Sequence, residues 1–283
     1  MQTFCSRPSP RVLGILNVTP DSFSDGGKLY RDGAIDTGVA RAVAEQLLSE
    51  GADVIEVGGV STRPNAPEVD PDEELRRVLP VVRALSGLPI WVDTARGRVA
   101  GQVLSAGACG INDQRAGEDP AMLRVVADAG CPYVMMHNRG TPHTMRALAV
   151  YSSVADEVWQ ELAFAEQVAL LAGVRTSQII LDPGLGFAKT AEHSMTVLRD
   201  LPTRTSRAVL VGASRKSFLG AVTGRELPSE RLAGSLAVVA WAAAAGAAWV
   251  RVHDVAATRD VLSVWSALKP VALPESPSQG TSS

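Results

Sequence analysis

The sequence has little cysteine and none of the common short catalytic signatures. Its three cysteines, Cys5, Cys109 and Cys131, are odd in number and share no metal-ligand spacing. That argues against a disulfide framework and fits a reducing cytosol. Unpaired cysteine usually behaves as a small apolar residue, so core positions are expected for Cys109 and Cys131. No CxxC, HExxH, glycine-rich Walker loop or GxSxG elbow with triad partners occurs. An ordinary ATP site, a helix-borne zinc site and a serine-hydrolase triad therefore drop out. Long hydrophobic runs are also missing. The longest, Leu236 to Val250, is mostly alanine and too short to span a bilayer comfortably. Met1 to Pro10 reads as neither signal peptide nor anchor. Charge of neither sign dominates: the net charge is -3 and no half of the chain is strongly basic. A nucleic-acid partner is not expected. The expectation is a cytoplasmic protein with small-molecule partners.

What is present is a repeat. A short apolar run ends in polar residues, a helical pattern follows, and glycine often closes it. The runs are Val12 to Leu16, Asp53 to Val57, Leu88 to Val92, Gly110 to Asn112, Tyr133 to Met136, Gln178 to Leu181, Ala208 to Val211 and Ala248 to Val252. They are continuous rather than alternating, as strands covered on both faces should be. Between them, Asp70-Pro71-Asp72-Glu73 offers an N-cap, a proline at the first helical position and a capping glutamate, and Asp119-Pro120 opens another helix in the same way. Gly51, Gly87, Gly107, Gly130, Gly173 and Gly246 fall where a left-handed C-terminal cap wants glycine. Eight strand–helix units predict a single-domain (β/α)8 TIM barrel over 11–270, with disordered tails at 1–10 and 271–283. A doubly wound open sheet would need fewer strands or an extra domain.

In such a barrel the chemistry sits at the C-terminal ends of the strands. The first run delivers Asn17 and then Thr19-Pro20-Asp21-Ser22-Phe23, and the second Gly58-Gly59 and Ser61-Thr62-Arg63-Pro64. Next come Asp93, Asn112-Asp113, His137, Asp182-Pro183-Gly184 with Phe187, Ser214-Arg215-Lys216-Ser217, and finally Arg251 and His253. Asp93, Asn112 and Asp182 suit a flat heterocycle with a donor-rich edge, such as a 2-amino-4-oxo ring. Arg63, Lys216, Arg251 and His253 are read as cations suited to an anion such as a diphosphate. The combination suggests displacement of diphosphate from a heterocyclic methylene.

At these residues the sequence resembles the dihydropteroate synthase family. The segments are Gly14 to Gly27, Gly58 to Ala66, Leu181 to Phe187, Gly212 to Ser217 and Val250 to Asp254, and the similarity runs from about Val12 to Leu268. The resemblance implies that Asp93, Asn112, Asp182, Lys216 and Arg251 hold a pterin. It implies that Asn17 ligates Mg2+ on the diphosphate, with Thr62, Arg63, Arg251 and His253 around the anion. Phe23, Pro64, Phe187 and Ser217 would shape a p-aminobenzoate site, with Asn17, Lys216, Arg251 and His253 as the catalytic group. It further implies a dissociative displacement and a homodimer through the later helices. The alanine-rich helix Leu236 to Ala247 could pack there or lie against the barrel. Val60 stands where the family has glutamate, Asn65 where glycine is usual, and Gln114-Arg115-Ala116 departs from the commonest form. A methyltetrahydrofolate methyltransferase would share the ring-binding Asp, Asn and Asp but lack the Thr-Pro-Asp-Ser-Phe and Ser-Arg-Lys segments. A degenerate pterin-binding paralogue would keep the pocket without turnover.

Overall fold

Alternation hidden inside the continuous apolar runs decides which side chains point into the barrel. A computed structural model describes residues 9–19, 29–31, 34–63, 66–201 and 204–268. Eight parallel strands close on themselves: β1 (Arg11–Asn17), β4 (Val54–Gly58), β5 (Ile90–Asp93), β6 (Gly110–Asp113), β7 (Tyr133–Met136), β8 (Ile179–Asp182), β9 (Ala208–Val211) and β10 (Trp249–Val252). They coincide with the eight predicted runs to within two residues at each end. A two-residue hairpin, β2 (Tyr30–Arg31) and β3 (Ala34–Ile35), was not expected. The expected tails lie almost wholly outside the described residues, as do Phe23, Pro64 and Asn65.

One face of each strand meets the helices, among them α1 (Thr37–Ser49), α2 (Pro71–Ala84), α3 (Gly97–Ser105), α4 (Pro120–Ala129) and α5 (Val154–Leu171). The ring continues with α6 (Ala191–Asp200), α7 (Ser217–Thr223), α8 (Leu232–Ala245) and α9 (Val255–Ala267). Val12, Leu16, Ile55, Val57, Val92 and Ile111 are fully or almost fully buried on this outer layer. The other face fills the barrel. Leu13, Val54, Trp91, Val134, Ile180, Leu210 and Trp249 form a separate buried cluster there. Trp91 and Trp249 meet with ring centroids 4.7 Å apart. Gly110 makes room for them, since a Cβ on it would lie 2.4 Å from Trp91 Nε1. Two residues beyond this apolar plug, the same inward face turns polar: Trp91 gives way to Asp93, Ile180 to Asp182 and Trp249 to Arg251. The strand period thus separates floor from site.

Caps follow the sequence closely. Asp70 accepts from the backbone N–H groups of Asp72 and Glu73, with Pro71 first in α2. Glu73 does not return the bond. Its carboxylate pairs instead with Arg76 and Arg77, cations one turn on that a bond back to the N-cap would leave unpaired. The six predicted cap glycines all have positive φ, from 65° at Gly130 to 116° at Gly107. Cys131 is buried as expected, but Cys109 is exposed. It lies in the short link before β6, where its backbone N–H donates to Ile90 O at 2.7 Å. The alanine-rich helix α8 lies against the barrel, burying Val238, Val239, Ala242 and Ala243.

Asp113, listed with the rim, turns away from it. Its Oδ2 accepts from Tyr133 Oη at 2.7 Å and Gly117 N at 2.8 Å, and its Oδ1 from Arg115 N at 2.9 Å. These bonds hold a turn in which Ala116 and Gly117 both have positive φ. Tyr133→Phe leaves a fully buried carboxyl short of a donor. It should cost about 1–3 kcal/mol, read as a lower urea midpoint at unchanged m.

Candidate active site

Strand register brings the first polar residues to one level. Asn17 pairs with Gly58, Gly58 with Asp93, and Asp93 with Asn112, so four successive strands end on one rung. Asp182 ends β8 further round the rim. Asp93, Asn112 and Asp182 are all buried. Glycine at 58 and 212 keeps the rung open: a Cβ on Gly212 would meet Arg251 at 3.7 Å and Asp182 Oδ2 at 3.8 Å.

Beneath this rung lies a residue that the strand-end reasoning missed. Glu56, with no exposed surface, sits one inward position below Gly58. Its Oε1 accepts from Asn112 Nδ2 at 2.8 Å, and its Oε2 binds the Arg251 guanidinium. Arg251 also reaches Asp93 Oδ2 at 3.3 Å. Gln114 Nε2 donates to the other Asp93 oxygen at 2.5 Å. The signal for Glu56 was available, because a carboxylate between Ile55 and Val57 must have partners inside the barrel. The bond to Glu56 uses the Asn112 amide nitrogen, and Asn112 Oδ1 is left buried with no protein donor.

These surroundings set the protonation states. Burial, and then the nearby charge of Glu56, raise Asp93 from 3.8 to about 7, against the pull of Arg251 and Gln114. Burial also raises Asp182, opposed by Lys216 and by the N–H of Gly184 at 2.8 Å. Lys216 is lowered by burial to about 8; its Nζ donates to Leu185 O at 2.7 Å and lies 4.6 Å from the centroid of the Phe187 ring. His253 corrects an expectation. Burial, with Arg251, Arg215 and Arg63 nearby, lowers it to about 3, so near neutral pH it is an uncharged imidazole and not a cation. Ser214 Oγ accepts from the His253 backbone N–H at 3.1 Å and lies 3.0 Å from Nδ1. With the Ser214 hydroxyl donating to Nδ1, the ring proton belongs on Nε2.

Thr62 and Arg63 follow β4 in the loop above the rung, and Ser217 is exposed at the start of α7. Val60, Thr62, Gln114, Met145 and Phe187 line a cavity of about 190 Å³ that opens beside Asp93. Another cavity, of about 240 Å³, lies at the opposite end of the barrel, and its one cation, Arg207, is taken by Glu166 at 2.5 Å. It offers no comparable chemistry. The structure therefore gathers Asn17, Asp93, Asn112, Asp182, Lys216, Arg251 and His253 at one mouth, with Thr62, Arg63, Phe187 and Ser217 around it.

Because its folded value is raised, Asp93 holds a proton that the unfolded chain has already released. Ionising it costs stability as pH climbs from 3.8 to about 7. Glu56→Gln removes the like charge, so the Asp93 midpoint should fall clearly below 7 and this loss of stability should shrink. Carbon-detected NMR titration of the carboxyls and urea unfolding across the same range provide the check. An unmoved midpoint would mean that burial alone sets it.

The sequence profile of the pterin binding enzymes matches residues 13–253. Dihydropteroate synthase of Synechocystis is 44% identical over 263 residues, covering 91% of this chain and 89% of that protein. The structure of Xanthomonas albilineans dihydropteroate synthase with 4-aminobenzoic acid superposes with a TM-score of 0.85 at 43% identity, covering 93% of this chain and 94% of that one. The same enzyme in complex with 7,8-dihydropteroate gives a TM-score of 0.82 at 41% identity, over 93% and 95%. A buried acceptor rung, cations at the same mouth and this likeness along the whole barrel lead to one conclusion: the chain belongs to the pterin-binding enzymes and, among them, to the dihydropteroate synthases.

Proposed function

We propose that the chain condenses 6-hydroxymethyl-7,8-dihydropterin diphosphate with 4-aminobenzoate, giving 7,8-dihydropteroate and diphosphate in folate biosynthesis. The observation that carries this is the buried Asn112 Oδ1, which has no protein donor and lies on the same rung as Asp93. An acceptor left in this state is costly unless a ligand donates to it. Together with the Asp182 carboxyl, it offers acceptors matched to the amino and ring N–H groups of a reduced pterin. The bound ligands of the Xanthomonas enzyme, 4-aminobenzoic acid and 7,8-dihydropteroate, are one substrate and the product of this reaction and support the reading.

In this reading Asp93, Asn112 and Asp182 orient the ring. Lys216 and Arg251 flank it, with Arg251 held by Glu56. The diphosphate lies toward Thr62, Arg63, Arg251 and His253, whose Nε2–H is a neutral donor. Phe187 and Ser217, with Phe23 and Pro64 outside the described residues, border the arylamine. No base is needed beside the arylamine, because the free amine is already a nucleophile. Loss of diphosphate before attack is the step that these donors and cations favour, by stabilising the charge that develops on the leaving group. The C–O bond to diphosphate breaks with its electron pair, the new C–N bond forms, and the amine proton passes to solvent.

Asn17 fits Mg2+ that arrives with the diphosphate. It ends β1 on the same rung as Gly58 and Asp93, where an amide oxygen could ligate the ion. Mg2+ takes few protein ligands and completes its shell with water and phosphate oxygens. Among the described residues there is no group of three His, Cys, Asp or Glu that could hold a metal ion. When bound, Mg2+ supplies neutralisation of the leaving diphosphate. A homodimer through α7 and α8 is supported by the exposed apolar Val222, Leu227 and Trp241. A cytoplasmic location is supported by the unpaired thiols of Cys109 and Cys131. Among the described residues no helix is long and apolar enough to cross a membrane.

Incubation with the pterin diphosphate, Mg2+ and p-aminobenzoate should release diphosphate, and its absence would overturn the assignment. Asp182→Asn replaces an acceptor by a donor and should weaken pterin binding by about 1.5–3 kcal/mol in calorimetry. Labelled p-aminobenzoate should bind weakly to the protein alone and much more tightly with pterin, diphosphate and Mg2+ present, because loop closure over the anion completes its site. Equal affinity in the two conditions would show the loops to be preformed walls.

A further inference from the structure

The segment from Pro183 to Lys189, which carries Phe187, adopts a strained backbone with one internal backbone bond, from Phe187 N–H to Gly184 O at 3.0 Å. Gly184, Gly186 and Ala188 all have positive φ, and Ala188, at 43°, has no glycine freedom to offset the strain. A Cβ on Gly184 would lie 1.9 Å from His137 O, so the loop rests directly on the end of β7. Side chains from three places hold its carbonyls. Lys216 takes Leu185 O at 2.7 Å, Lys189 takes Phe187 O at 3.1 Å and Tyr151 takes Ala188 O at 2.9 Å.

Lys189 has no part in the mechanism above. It is buried, and its Nζ lies 2.8 Å from His137 Nδ1. His137 is also buried, and its Nε2 lies 3.0 Å from Glu161 Oε2 on α5. Since a carboxylate only accepts, the His137 proton sits on Nε2 and Nδ1 is free to accept from Lys189. Glu161 is held in turn by Arg139, whose guanidinium stacks 4.0 Å over the Tyr151 ring. A continuous chain therefore runs from α5 through Glu161, His137 and Lys189 to the carbonyl of Phe187. Burying a lysine is costly, and packing alone would be better served by an apolar residue. What the amino group adds is two directed bonds, one to each of the loops that meet here.

We propose that Lys189 is a positioning residue for the arylamine site. It fixes Phe187 through that residue's carbonyl and ties it to His137 and Glu161, without touching the pterin. The proposal rests on the assignment of Phe187 to the arylamine site, and its test separates the two claims. Fluorine NMR of full-length protein labelled with 4-fluorophenylalanine reads the ring directly, with Phe187→Leu identifying its signal. In Lys189→Met, which keeps the apolar stem, the Phe187 signal should shift and narrow while that of the buried Phe218 stays in place. Tyr151→Phe removes the neighbouring clamp and should move the same signal. In turnover, Lys189→Met should raise the KM for p-aminobenzoate about tenfold, with kcat and pterin affinity within twofold of the parent. An unmoved Phe187 signal overturns the proposal, as does pterin affinity falling as far as the arylamine KM rises. A shifted signal with unchanged KM also overturns it. If the parent protein forms no dihydropteroate, the assignment of function fails, and the fluorine measurement alone then decides whether Lys189 positions the ring.

Discussion

A carboxylate enclosed by the barrel must be matched or it destabilises everything around it, and Glu56 is such a group. It has no exposed surface, and the two residues that satisfy it, Asn112 and Arg251, both belong to the candidate site. The pairing fixes which way each of them faces. The Asn112 amide gives its nitrogen to Glu56, which leaves its oxygen buried without a protein donor. The Arg251 guanidinium is drawn across the floor toward Asp93. The presence of Glu56 next to Asp93 also makes Asp93 harder to ionise. One buried charge thus orients a donor, an acceptor and a cation, and adjusts an acid. Its neighbours in the barrel are Trp91 and the rest of the apolar plug, so water cannot easily take over its role.

The side proposed to hold the ring is built on strands. The acceptors stand at strand ends whose register is set by the parallel ladder, and Glu56 and Arg251, also on strands, partner two of them. The side proposed for the arylamine is built differently. It is a loop with three positive-φ residues, kept in shape by side-chain donors to its carbonyls. Rigid scaffold under one substrate and braced loop beside the other is a physical distinction within a single mouth.

The fold was legible because it depends on patterns that sequence exposes. Eight apolar runs, the Asp-Pro helix starts at 70 and 119, and six glycines between helix and strand all found their expected places. Most of the site was legible for a related reason: a polar residue that ends an apolar strand in a barrel lies at the rim. Asp113 shows the limit of that rule. As the residue after Asn112 it has the opposite parity, and its side chain turns to the Gly117 turn and Tyr133. Glu56 was missed for the converse reason, lying within a run instead of at its end. His253 was taken as a cation because composition gives no measure of burial, and three arginines nearby make a charged imidazole unfavourable. Lys189 meets Phe187 close by in sequence, but its other partner is His137, itself tied to Glu161, and no local pattern links those positions. Cys109 was placed in the core on the habit of its residue type, while its actual position is a link between helix and strand.

The paired indoles at the bottom of the barrel have an optical consequence. Trp91 belongs to β5 and Trp249 to β10, strands that are not neighbours in the closed ring. Their rings come within 4.7 Å only when the whole cylinder is shut. Indoles in such contact couple through their strong ultraviolet transitions, and the pair has a circular dichroism that neither indole has alone. The chain therefore carries an intrinsic optical gauge of closure, located away from the mouth where ligands bind. Loss of that signal would separate opening of the cylinder from fraying of the surrounding helices, which far-ultraviolet dichroism records.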